Sequence, residues 1–167
     1  SSFSFTFGQY TGDTPADLHD GRRRASERER DRLAGELVFR SEMTETPPDI
    51  LLTNYSMLEY LLLRPSDSPL FDGGRAKYWT FIVLDEAHQY RGAKGIEMGM
   101  LLRRLKRRLR EGGGGGPFGG LATGAPFVDA VRGSGKGGAA LVADLLGEPF
   151  RGREVLRGVF LRCREWR

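Results

Sequence analysis

The sequence predicts an α/β fold, a mainly parallel sheet flanked by helices, and three observations carry that expectation. Phe81-Ile82-Val83-Leu84 is an unbroken apolar run that ends in Asp85-Glu86. With no polar alternation it predicts a strand covered on both faces, as strands of parallel sheets are. Pro47-Pro48-Asp49-Ile50-Leu51-Leu52-Thr53-Asn54 repeats the pattern upstream, with a short apolar run closed by a polar turn. Between Gly95 and Leu109, Met98, Leu101, Leu102, Leu105 and Leu109 recur at three- and four-residue steps, one apolar helical stripe.

Tyr10-Thr11-Gly12-Asp13-Thr14 is turn chemistry. The segment Asp20 to Arg40 alternates charge through Arg22-Arg23-Arg24 and Glu27-Arg28-Glu29-Arg30-Asp31-Arg32. It predicts an exposed helix laced with ion pairs, with Leu33, Leu37 and Val38 as its apolar contact. Pro47 and Pro48 block a preceding helix, Ile50 to Leu52 predict a short buried strand, and Ser56 with Glu59 predicts a capping box for a helix through Leu63. Pro65 to Gly74 is loop, with Leu70-Phe71 as an apolar anchor beneath it.

After the Asp-Glu strand, the cations Arg103, Arg104, Lys106, Arg107, Arg108 and Arg110 predict a solvated basic face on the long helix. Gly112 to Gly116 predicts a floppy linker with no means of packing. Ala139 to Leu146 predicts a short helix stopped by Gly147 and Pro149.

Asp85 and Glu86 fall at the carboxyl end of a predicted strand, where open α/β sheets bind ligands. A hard Mg2+ ion takes one or two carboxylates plus phosphate oxygens and water, which suits Asp85 as a metal-side acid. Glu86, one residue on, is placed to polarise a water.

The four residues Asp85-Glu86-Ala87-His88 after an apolar strand resemble the Walker B box, motif II, of superfamily 2 helicases, the DEAD/DEAH-box group. Thr53-Asn54 is similar to motif Ib of that group, and Tyr10-Thr11-Gly12-Asp13-Thr14 to a turn that precedes it in one bacterial branch. Gln89-Tyr90-Arg91-Gly92 and the helix ending Leu102-Arg103-Arg104-Leu105 resemble a subgroup of bacterial repair helicases with a C-terminal zinc-binding region, a pattern some phage-defence helicases share.

The resemblance implies a partial RecA-like (P-loop NTPase) lobe over residues 1–150, with residues 151–167 an unassigned basic tail. It implies ATP and Mg2+ as cofactors. Asp85 would organise Mg2+, Glu86 would activate water, and His88 would relay nucleotide state. Thr11, Gly12, Thr53 and Asn54 would touch a nucleic-acid backbone, which the resemblance makes DNA, with Arg91 a further contact to nucleic acid or between lobes. Its other partners would be the remaining helicase lobes of a parent chain.

The pattern also breaks. No Gly-x-x-x-x-Gly-Lys-Ser/Thr precedes Asp85; Gly133-Ser134-Gly135-Lys136-Gly137 lacks the first glycine, at Ala130, and the terminal hydroxyl. Gly120-Leu121-Ala122-Thr123-Gly124-Ala125-Pro126 occupies the place of motif III, with Gly124 and Pro126 where relatives carry hydroxyls. Without Walker A and a second lobe the chain alone is expected not to hydrolyse ATP at a helicase-like rate. Three other readings stay open: a nucleotide-independent nucleic-acid-binding remnant, an ATPase that remodels nucleoprotein without unwinding, and a truncated or frameshifted gene fragment.

Composition limits the remaining classes. The 167 residues suffice for one core, and the net charge of +4 permits a nucleic-acid partner without demanding it. One cysteine and two histidines exclude a disulfide framework and an ordinary structural zinc site. The single cysteine, Cys163, fits a reducing, cytoplasmic setting, and no apolar stretch approaches the roughly 20 residues that cross a bilayer, so no membrane partner is expected.

Overall fold

The computed structural model of this protein describes residues 4–19, 23–72, 74–114, 119–122 and 145–147. In chain order they form β1 (Phe7–Tyr10), α1 (Arg23–Arg30), β2 (Glu36–Leu37), α2 (Arg40–Glu45), β3 (Ile50–Thr53) and α3 (Tyr55–Leu63). Two 3-10 turns at Pro65–Leu70 and Arg75–Tyr78 lead to β4 (Phe81–Leu84), a further turn at Ala87–Gln89, α4 (Ala93–Glu111) and β5 (Gly119–Ala122). The architecture is α/β, with every strand pair parallel. One sheet has the order β2-β1-β3 and the other pairs β4 with β5.

The core confirms the apolar stripe of α4. Met98, Leu101, Leu102, Leu105 and Leu109 are all buried, packed in one cluster with Met57, Leu61 and Leu62 of α3 and with Tyr10, Met43 and Leu84. Leu70 and Phe71 anchor the loop as expected, and the Trp79 indole N–H secures it by donating to Leu70 O at 2.8 Å.

Neither sequence-predicted buried strand is covered on both faces. Phe81 and Val83 of β4 are 72% and 59% exposed, and Ile50 and Leu52 of β3 are 47% and 52% exposed. Side chains alternate along a strand, and in β4 only Ile82 and Leu84 turn to the core. Among the described residues nothing covers the outer face.

The helix expected over Asp20 to Arg40 is interrupted. Only Arg23–Arg30 is helical before Gly35 turns the chain at φ +82°, and Leu37 pairs with Gly8 as part of β2. A Cβ at position 35 would lie 2.4 Å from Phe5 O, so this turn needs glycine. The ion pairs persist differently, with Arg32 bridging Glu29 and Glu42.

The cap of α3 is Asn54, whose Oδ1 accepts from Met57 N at 2.9 Å, rather than Ser56. Glu59 instead meets Arg104 of α4 at 3.6 Å. The basic face of α4 is likewise not wholly solvated. Lys106 is buried and donates to Leu146 O, while Arg108 forks onto Asp72 and reaches Ser68 Oγ and Leu62 O.

The first three residues of the glycine run are held by the fold, not floppy, and Gly112 and Gly114 are closely packed. Gly114 N donates to Leu109 O at 2.8 Å and Gly113 N to Arg110 O at 3.2 Å, with Gly113 at φ +97°. These two bonds form a Schellman stop for α4. A Cβ on Gly112 would sit 2.6 Å from Phe71 O and 2.9 Å from Ala76 Cβ. Glycine is thus required for close approach. Leu145 and Leu146 keep a helical turn that ends at Gly147. The Gly133–Gly137 segment, Thr123 to Pro126 and the tail after Arg151 lie outside the described residues.

Gly112→Ala should therefore lower stability by about 1–3 kcal/mol through overpacking against Phe71 and Ala76. Urea denaturation reads this directly, and an unchanged midpoint would show that the Phe71 segment moves aside without cost.

Candidate functional site at the strand ends

Leu84 and Ala87 are both buried, and the two residues between them are forced outward. Asp85 and Glu86 are accordingly exposed, at the carboxyl end of β4. Glu86 completes the turn at φ 50° and ψ 39°, the only non-glycine residue with positive φ among those described. That backbone costs an L-residue about 1–2 kcal/mol, and such strain concentrates at functional sites. Glu86 N donates to Asp85 Oδ1 at 3.0 Å, and Glu86 O accepts from Gln89 N at 2.9 Å. The turn fixes where both carboxylates emerge.

The donor set suits a hard cation held by one carboxylate. No group of three potential metal-ligating residues occurs among the described residues, and Mg2+ bound with a nucleotide needs only one or two protein carboxylates beside phosphates and water. The backbone of His88 lies in the turn Ala87–Gln89; its side chain is outside the described residues. Arg91 is exposed just beyond that turn.

The second group of sequence-predicted residues is brought together by strand pairing. β1 and β3 run in parallel register with Tyr10 opposite Thr53, so the Thr11-Gly12 turn and the Thr53-Asn54 turn leave neighbouring strands at the same end. Thr53 Oγ1 donates to Tyr10 O at 2.8 Å, tying one turn to the other. The Thr53 hydroxyl proton is thereby engaged inside the fold, as is the Asn54 Oδ1 by Met57 N at the cap of α3. β4 belongs to the other sheet, so no ladder links the carboxylates to these turns.

Sequence reasoning missed the residues that shape the first turn. Thr14 is buried; its Oγ1 accepts from Thr11 N and donates to Gln9 O, each at 2.8 Å. A threonine three residues after the start of a Thr-Gly-Asp turn is a local signal for this. Arg40 Nη2 donates to Thr11 O at 2.9 Å and Gly12 O at 3.1 Å, from 28 or more residues away, and no local pattern announces it. The Tyr10 hydroxyl donates to Asp67 Oδ1 at 2.7 Å in the core. Burial, and then the hydrogen bond and charge of Asp67, push the Tyr10 phenol well above its ordinary value. A concavity lined by Asp72, Arg108, Glu111 and Gly112 lies at the carboxyl end of α4.

No family model matches this chain, and no solved structure matches it. It is similar to Druantia protein DruE of Escherichia coli (strain UMEA 4076-1). The two are 48% identical over 82 residues, covering 44% of this chain and 4% of that protein. The chain therefore spans a small fraction of its relative's length. No described helix is long and apolar enough to cross a membrane.

Glu86→Gly should leave stability unchanged or raise it by up to about 1 kcal/mol, because relief of the positive φ offsets the chain entropy glycine adds. A loss beyond that in urea denaturation would show that the Glu86 side chain, not its backbone, supports the turn. The raised Tyr10 value gives a pH signature. Its contribution is complete below the unfolded value of about 10 and fades as pH rises past it. Tyr10→Phe should cost about 1–3 kcal/mol at neutral pH by stranding Asp67 Oδ1. The same variant should flatten the decline in urea midpoint above about pH 10; parallel declines would place the titrating group elsewhere.

Proposed function

We propose that this chain is part of the ATP-binding lobe of a superfamily 2 helicase or translocase of the DEAH type, acting on nucleic acid, with DNA the favoured substrate. The observation that carries the reading is the Asp85-Glu86 pair, held exposed at the end of a parallel strand by a strained turn. Partial similarity to Druantia protein DruE, together with the Asp-Glu-Ala-His and Tyr-Arg-Gly pattern, favours the phage-defence branch over the repair branch. In this reading residues 1–150 belong to a RecA-like lobe whose phosphate loop and second lobe are supplied by other parts of a longer protein, in the cytoplasm.

Within that lobe Asp85 would hold the metal side of the nucleotide, and Glu86 would orient a water and accept its proton. Mg2+, when bound, neutralises charge on the phosphates. Phosphoryl transfer depends chiefly on positioning and charge neutralisation, and the turn at Glu86 restricts the direction of both acids before any ligand arrives. Thr11, Gly12 and Asn54 would contact the nucleic-acid backbone at the ends of β1 and β3. His88 and Arg91, just beyond the acids, would pass nucleotide state toward nucleic acid or the second lobe.

Gly12 offers a clean test. A Cβ there meets nothing within 4 Å and its φ lies outside the left-handed region, so the fold does not require glycine. Gly12→Ala should keep stability yet weaken binding of a single-stranded oligonucleotide, measured by fluorescence anisotropy on the 167-residue chain. Equal affinity would remove Gly12 from the interface. The chain alone should show no DNA-stimulated ATPase; activity that Glu86→Gln abolishes would overturn the assignment of the phosphate loop to another segment. Affinity insensitive to Asp85→Asn, with no nucleotide effect in any longer form of the protein, would favour a binding remnant over an enzyme.

A further inference from the structure

We draw no further inference here: the strongest candidate, the exposed apolar outer faces of β3 and β4 with Ile50, Leu52, Phe81 and Val83, carries none, because nothing in the structure shows what covers them.

Discussion

No hydrogen-bonded ladder joins the two parallel sheets among the described residues, so their relation rests on side-chain packing around α4. Its five buried Met and Leu residues share one core cluster with α3 and with Tyr10 and Leu84 at the ends of β1 and β4. At about 1.5–3 kcal/mol each, they supply on the order of 10 kcal/mol before chain entropy is charged, an upper figure because unfolded chains bury part of this surface already. No single hydrogen bond here competes with that. Arg108 adds direction instead of magnitude: its two nitrogens on Asp72, with Ser68 and Leu62 O, set how the loop after α3 lies against the end of α4. The same ion pair holds the Asp72 carboxyl below its usual range.

That packing explains why the candidate groups stand where they do. Burial of Leu84 and Ala87 against the core leaves Asp85 and Glu86 no route but outward, and the left-handed turn at Glu86 is the local cost of having only two residues between two buried ones. At the other strand ends the agents are polar. The Thr53 hydroxyl, Thr14 and Arg40 replace solvent at backbone groups that parallel strands leave unpaired where they stop. One site is thus shaped by hydrophobic bracketing and the other by hydrogen bonds from distant side chains.

This difference decides what the sequence could reveal. Hydrophobic bracketing is local, so β4 with its two acids, the stripe of α4 and the Leu70-Phe71 anchor are legible from spacing alone. Where the deciding partner is distant, the pattern misleads. The glycine run reads as flexible because composition records missing side chains, whereas Phe71 and Ala76 need them missing. Alternating charge before Arg40 reads as one helix because ion pairing at helical spacing is visible and the pairing of Leu37 with Gly8 is not. Ser56 and Asn54 are both acceptable caps, and only the end of β3 at Thr53 selects the second. Phe81 and Val83 look like core because a run of four apolar residues carries no record of which face a neighbour covers.

Much of the positive charge inside the fold is likewise committed to distant partners. Arg40, Arg75, Lys106 and Arg108 all donate to backbone carbonyls within the fold, at Thr11 and Gly12, Thr44 and Glu45, Leu146, and Leu62. Several of these carbonyls sit at the ends of α2 and α3, where cations satisfy orphan acceptors and oppose the helix dipole. The net charge of +4 therefore overstates the cationic surface available to a partner, and counterion release from a basic face is a poor basis for assigning nucleic-acid binding. The pairing of β1 with β3 places two polar turns side by side at one end of the sheet, and Arg40 closes the first of them with Nη2 on Thr11 O and Gly12 O while its Nε is buried without a hydrogen-bond partner. That is a structural use of a cation, which composition alone does not separate from a binding one.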